Sequence, residues 1–245
     1  MSNINLNELR NIAYKTACEH GFHDKRFSEE HFLCLIVGEL MEAVEAERKG
    51  RLGKKCKSRF EMDYNRYPAL VEEEKRFKCS FEKNVKDTLP DELSNAVICL
   101  FDLAGLRGIS LESASNDINS EYMDDIACMY SQLSFTEAIY SIFTKPIVDY
   151  QCLSTIVNEM IFLIFALAKH LDIDLLWHIE QKMISTIRRF WQTSPSSSRC
   201  SILISIIRSK SGCVIEMILP LLICLRSSMQ KFGACIGFAF PSFDK

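Results

Sequence analysis

The sequence HFLCLIVGELMEAVEAE, residues 31–47, decides the fold of this chain. Wound at about 100° per residue, it forms an apolar helix whose stripe includes Leu35 and Ala43. Glu39 lies within about 60° of these residues, and Glu42 lies at the edge of the stripe. A buried carboxylate must be paired, protonated or bound to a metal ion, because an isolated buried charge is too costly. A helix edge that simply reaches solvent would explain one such pair equally well.

A second stretch, DTLPDELSNAVICLFDLAGLRG over residues 87–108, has the same design. It begins as a helix should, with Thr88 as the candidate N-cap and a proline in the first turn. Glu92 shares its helical angle with apolar residues, and Asn95 lies one turn further on. If this face packs against the face that carries Glu39 and Glu42, three carboxylates and one amide oxygen converge. Oxygen ligands in that number suit Mg²⁺, or Mn²⁺ in its place, and nucleotide phosphates are common partners of such sites.

The two stretches together resemble the MazG-type members of the all-α nucleoside triphosphate pyrophosphohydrolase superfamily. The resemblance rests on GELMEAVEAERKGR from position 38 and FEKNVKDTLPDELSNAVICLFDLAG from position 81, with HGFHDKRFSEEHF ahead of them, and it covers roughly residues 5–189. It implies hydrolysis of a nucleoside triphosphate or deoxynucleoside triphosphate to the monophosphate and diphosphate, with Mg²⁺. In that scheme Glu39, Glu42 and Glu92 are catalytic metal ligands.

Asn95 is the main departure from the family pattern, because it stands where the family has aspartate. An amide oxygen can bind Mg²⁺ but brings no charge, so we expect weaker binding and reduced or absent activity. Asp91 or Asp102 would then be available to compensate in part. Two alternatives to an enzyme follow: a pseudo-enzyme that binds nucleotide without turnover, and a structural or interaction bundle.

Basic residues near both ends of the site are candidates for substrate binding. Lys182 matches a family lysine near the substrate phosphates, although Thr186 stands where an asparagine is expected. Lys86 lies just ahead of the second acidic helix and could reach phosphate, while simple solvation explains it as well. Residues 51–83 are highly charged, which predicts a solvated face or mobile excursion. The alternative is a basic arm that closes over an anionic ligand.

The rest of the composition favours an all-α fold, because the chain has only 6 prolines and 9 glycines. Further helices are expected over residues 5–20, 111–129, 135–150, 153–169 and 173–189. The segment CLFDLAGLRGISL from position 99 matches LIFALAKHLDIDL from position 163 at an offset of 64 (163 − 99). This predicts a MazG-like bundle with a degenerate second repeat over about 135–190. Such a chain would act as a monomer with an internal repeat, or as a homodimer.

We expect one MazG-like domain over residues 1–190, followed by a linker and an apolar, Ser/Cys-rich tail of uncertain structure over 191–245. The tail segment CVIEMILPLLICL is short and interrupted by Glu216 and Pro220, and no run of about 18 uncharged apolar residues predicts a membrane span. A net charge of −3 gives no argument for nucleic-acid binding. Eleven cysteines without a C-x-x-C pair indicate reduced thiols in a cytoplasmic protein.

Overall fold

The structure is a computed structural model that describes residues 5–68 and 70–191. Within these ranges the chain is helical and has no β-strand, which confirms the all-α prediction. The helices are α1 (Leu6–Glu19), α2 (Glu29–Arg48), α3 (Cys56–Arg66), α4 (Glu73–Asn84), α5 (Leu89–Arg107), α6 (Glu112–Ile118), α7 (Tyr122–Met129), α8 (Phe135–Asp149), α9 (Leu153–His170) and α10 (Leu175–Trp191). A single 3₁₀ turn, Tyr130–Gln132, links α7 to α8.

The ends of the two acidic helices follow from their capping residues. The Ser28 hydroxyl accepts a hydrogen bond from the His31 backbone N–H, which starts α2 as N-caps do. Thr88 occupies the N-cap position of α5, but its hydroxyl donates to the Val85 carbonyl instead of capping the helix. Thr88 is therefore the N-cap residue, as predicted, but its side chain makes no capping hydrogen bond. Gly108 ends α5 at φ 65°, a left-handed conformation that glycine adopts without a Cβ clash.

Helix α5 is the centre of the bundle, and α1, α2, α9 and α10 pack around it. Its side chains Leu93, Val97, Leu100 and Phe101 are fully buried. Each apolar side chain of this size contributes about 1.5–3 kcal/mol when it leaves water. The packing therefore fixes the position of every polar group that α5 carries.

Helix α9 is the nearly all-apolar core helix that the sequence predicts. It is the one helix of the described ranges long and apolar enough to cross a membrane by length and composition. Its most apolar window is 67% buried inside the bundle, as in the core helix of a globular domain. Residues such as Met160, Ile161 and Ile164 have no exposed surface at all.

The charged segment that follows α2 forms two helices, α3 and α4, which contact each other. Their outer faces are charged and exposed, as the prediction of a solvated face expects, while the two helices themselves were not predicted. Phe60 on α3 packs edge-on against Phe77 of α4 at 5.5 Å between ring centroids, and Phe81 stacks on Phe77. These buried rings recur at helical spacing, so a small apolar stripe holds an otherwise charged pair of helices onto the bundle.

One other predicted boundary needs adjustment. The single helix expected over residues 111–129 is interrupted by a turn, which separates α6 from α7. Helices α5 and α9 begin at Leu89 and Leu153, which are 64 positions apart (153 − 89), as in the sequence match. The internal repeat itself stays a prediction. The described residues end at Trp191, so the linker and tail expected over 191–245 lie outside them after that first residue.

Helix α10 buries two titratable side chains that belong to neither of the acidic clusters found among the described residues. Glu180 is 4% exposed, and burial raises its pKa to about 7. Burial also lowers the pKa of His178 to about 4, and its Nδ1 has no hydrogen-bond partner within the described ranges. Both groups are therefore held neutral near pH 6, where their free counterparts carry charge.

Replacing Glu180 with glutamine tests this burial through the pH dependence of unfolding. Folded Glu180 keeps its proton up to about pH 7, whereas the unfolded chain releases it near pH 4.5, so rising pH favours unfolding in that window. Glutamine has no proton to release. As the pH rises from 4.5 to 7, we expect the free energy of unfolding of the variant, measured in urea, to increase by roughly 2–3 kcal/mol relative to that of the wild type. The titration of His178 changes the unfolding free energy with pH in the opposite direction, but it affects the variant and the wild type equally. A stability difference between the two proteins that does not change with pH would contradict the prediction.

Candidate metal centre

The packing of α2 against α5 brings Glu39, Glu42 and Glu92 together. One carboxylate oxygen from each side chain lies within 4.8 Å of the other two. Glu92 is buried at 5% exposure, Glu39 is half-buried and Glu42 is exposed. The carboxylates therefore form a centre that is walled by α5 and open to solvent beside Glu42.

The crowding of these acids changes their proton affinity. Burial and the negative charges of Asp91, Glu42 and Glu39 together raise the pKa of Glu92 to about 7, against the opposing positive charge of Lys182. Burial likewise raises the pKa of Glu39, although the hydrogen bond from Asn95 works in the other direction. The charged forms are thus poorly stabilised by the protein alone, which is the condition that a bound cation would relieve.

Asn95 contacts the same centre through its amide. Its Nδ2 donates a hydrogen bond to Oε2 of Glu39 at 2.5 Å. An aspartate at this position would place two carboxylates in contact. Asn95 therefore supports Glu39 with a hydrogen bond, and its predicted role as a metal ligand requires the amide to turn its oxygen toward the centre. That role stays a prediction.

A second acidic trio adjoins the first and shares Glu92 with it. Asp87, Asp91 and Glu92 also offer oxygens within 4.8 Å of one another. Asp91 is fully buried, and its Oδ2 accepts hydrogen bonds from Lys182 Nζ at 2.9 Å and from the Asp87 backbone N–H at 3.0 Å. Burial raises the pKa of Asp91, and Lys182 counteracts it. The sequence motif indicates Asp91 as a compensating acid but does not reveal this ion pair.

Asp102 belongs to a different contact. Its carboxylate lies 2.8 Å from Nε2 of His23, and the His23 ring packs beside Tyr14. It belongs to neither acidic trio found among the described residues. Asp102 thus anchors the loop between α1 and α2 onto α5, and the expectation that it compensates for Asn95 gains no support from its position.

The basic candidates occupy different environments. Lys182, on α10, is 12% exposed and engaged with Asp91, so its ammonium is not turned toward solvent. Thr186 donates its hydroxyl hydrogen bond to the Lys182 carbonyl, one turn earlier on the same helix. Lys86 is exposed between α4 and α5, with its Nζ 4.0 Å from the Asp87 carboxylate. Their predicted contacts with substrate phosphate stay predictions.

The geometry of the Glu39, Glu42 and Glu92 trio fits a hard divalent cation. Oxygens bound to Mg²⁺ at about 2.1 Å lie at most about 4.2 Å apart, so a small adjustment of the side chains closes a spread of 4.8 Å. Mn²⁺ and Ca²⁺ tolerate a similar spread. Neither trio contains histidine or cysteine, and burial raises the pKa of the neighbouring Cys99 thiol to about 12, so its thiol stays protonated. The donor set therefore favours an oxygen-seeking cation over zinc.

Comparison of the chain with family models, curated proteins and solved structures finds no match. The likeness to MazG-type enzymes therefore rests on the motif residues alone. The chain's own geometry adds that the motif carboxylates converge.

Proposed function

We propose that this protein is a Mg²⁺-dependent nucleoside triphosphate pyrophosphohydrolase, which converts a (d)NTP and water to a (d)NMP and diphosphate. The observation that carries the proposal is the convergence of Glu39, Glu42 and Glu92 within 4.8 Å, at the spacing of the two sequence motifs. A structural ion-pair network would place a cation among these acids. Here Lys182 is the neighbouring cation, and its direct hydrogen bond goes to Asp91.

In this proposal the three glutamates hold the cation, with the Asn95 amide oxygen as a weaker fourth ligand. Mg²⁺ in such a site supplies charge neutralisation for phosphoryl oxygens and lowers the pKa of a bound water. The exposed Glu42 side is the open approach for substrate and for the attacking water. The P–O bond between the α and β phosphates breaks, water supplies the new oxygen of the monophosphate, and diphosphate leaves.

The basic residues divide into an available one and an engaged one. Lys86 is exposed and can approach a phosphate directly. Lys182 is paired with Asp91 and acts electrostatically, because its positive charge lowers the pKa of both Glu39 and Glu92. Direct contact between Lys182 and a phosphate would require the Asp91 ion pair to open.

A second candidate is a pseudo-enzyme that binds nucleotide without turnover. The hydrogen bond from Asn95 to Glu39 favours it, because the amide supplies part of the stabilisation that a cation would provide. Calorimetric titration with a nonhydrolysable deoxynucleoside triphosphate separates the two. The pseudo-enzyme binds the analogue with Mg²⁺ and releases no diphosphate from the matching substrate.

The enzyme is tested by diphosphate release from a panel of NTPs and dNTPs, with Mg²⁺ or with EDTA. We expect Mg²⁺-dependent release from at least one substrate and an increase of about tenfold in Asn95→Asp, which restores a charged ligand. Asn65→Asp, on the exposed face of α3, is the matched control and should not change the rate. A pure protein that is silent with every substrate, and that stays silent as Asn95→Asp, would exclude the enzyme.

A further inference from the structure

A cleft between α4 and α10 lies apart from the three motif glutamates. It opens to solvent and has the rings of Phe77 and Phe81 on its wall. Its charged lining is dominated by cations: four basic side chains face two carboxylates, namely Lys78, Lys86, Arg188 and Arg189 against Glu74 and Glu82. A cleft of this kind attracts anions, because its low-dielectric wall strengthens the field of the surrounding cations.

Arg188 is a buried side chain of this cleft whose guanidinium is held in place by its neighbours. The side chain is 8% exposed, its guanidinium lies 4.6 Å from the Phe77 ring centroid, and its Nη2 donates to Glu73 Oε1 at 2.7 Å. Its Nε and Nη1 are buried and have no hydrogen-bond partner within the described part of the chain. Buried N–H donors are normally satisfied, so two orphan donors on one guanidinium call for a partner. A planar guanidinium offers paired donors that match the oxygens of a phosphate group.

Lys86 connects the cleft to the acidic centre. It lines the cleft, while its Nζ lies 4.0 Å from the Asp87 carboxylate of the second trio. An anion beside Arg188 could therefore be a separate molecule, or the far end of a ligand that also reaches the carboxylates. The two sources share the same chemistry, which is that of a phosphate group.

We propose that the α4–α10 cleft binds a phosphate group, with Arg188 as the directional donor and Lys78, Lys86 and Arg189 as the surrounding charge. The phosphate is either free inorganic phosphate or the distal phosphate of a nucleotide. Only the second source rests on the proposed hydrolase function. Helix α4 belongs to the charged segment for which the sequence left open an anion-binding arm, and here that segment supplies one wall of the cleft.

The test is calorimetric titration of the full chain with inorganic phosphate, in EDTA and at low ionic strength, where exposed charges are least screened. We expect saturable binding that weakens about tenfold in Lys78→Gln/Lys86→Gln, which removes two exposed cations. Arg188→Lys keeps the positive charge but loses the paired N–H donors of the guanidinium, and it should weaken phosphate binding by a similar factor. Lys15→Gln/Lys145→Gln makes the same charge change on α1 and α8 and should leave phosphate binding unchanged.

The surface double variant keeps the test valid if Arg188→Lys fails to fold, as judged by circular dichroism. Absence of phosphate binding by the wild type overturns the proposal, as does equal weakening by the α1/α8 control.

Titration with a nonhydrolysable triphosphate and Mg²⁺ then assigns the source. A nucleotide source predicts weaker triphosphate binding in Lys78→Gln/Lys86→Gln with unchanged monophosphate binding; a free-phosphate source predicts that neither nucleotide is affected. Because the phosphate titration needs no metal and no turnover, its failure is separate from failure of the hydrolase.

Discussion

Replacing Glu92 with glutamine is expected to lower Mg²⁺-dependent diphosphate release at least about 100-fold, because this carboxylate belongs to both acidic trios. The same change should abolish the rise in melting temperature with Mg²⁺ that a cation site in the folded state produces. It should also stabilise the metal-free protein near pH 8. Burial raises the pKa of Glu92 to about 7, so the folded chain is ionised there at a cost that glutamine does not carry.

The opposite signs of these effects distinguish a functional carboxylate from a structural one. Neutralising an acid that has a structural role destabilises the protein. Neutralising an acid that serves to bind a cation stabilises the metal-free protein and removes the metal-dependent activity. The measurements are diphosphate release and thermal unfolding in EDTA and in Mg²⁺. Glu45→Gln is the matched control on α2, since Glu45 is exposed and forms an ion pair with Lys49 one turn further along the helix. If Mg²⁺ stabilises Glu92→Gln as much as the wild type, the carboxylates do not hold the ion.

Local sequence signals predict the long helices and the acidic motif. The spacing of apolar residues and the caps at Ser28 and Gly108 place the ends of α2 and α5. The i, i+3 spacing of Glu39 and Glu42 puts both on one side of α2. Such signals depend on neighbours within a few residues, which the sequence displays directly.

The same signals give the direction of a side chain but not what covers it. Leu35 belongs to the predicted apolar stripe of α2 and is nevertheless 51% exposed, whereas Ile36 beside it is fully buried. The helical angle of a residue is local, but the width of the surface that α5 covers is a property of the packed pair. The two helices of the charged segment were not predicted for a related reason, because a few aromatic residues at helical spacing are enough once a core is available to cover them.

The contacts that shape the site connect residues far apart in the chain. Asp91 and Lys182 are 91 positions apart, Glu73 and Arg188 are 115 apart, and His23 and Asp102 are 79 apart. No periodicity or motif links such pairs, because their proximity depends on how α10 and the α1–α2 loop pack onto the bundle. The sequence therefore identifies the candidate ligands and leaves their charge partners to the tertiary structure.

The second large effect is expected from Lys182→Met, which leaves the fully buried Asp91 carboxylate without its only ion-pair partner in the described structure. Breaking a buried pair from one side typically costs about 3–5 kcal/mol. The loss should be greater near pH 8 than near pH 5. Burial already raises the pKa of Asp91, and without Lys182 the folded carboxyl takes up a proton more readily, so its cost falls as pH falls.

Urea unfolding of three variants separates this ion pair from a general effect of lysine removal. Lys49→Met breaks an exposed pair on α2 and should cost less than about 1 kcal/mol. Lys182→Met/Asp91→Asn should recover much of the loss, because a neutral amide oxygen can still accept from the Asp87 backbone N–H. If Lys182→Met behaved like Lys49→Met, the lysine would be free to bind phosphate directly. A large, pH-dependent loss that Asp91→Asn reverses would instead assign Lys182 to holding the first turn of α5, and Glu92 with it, in place.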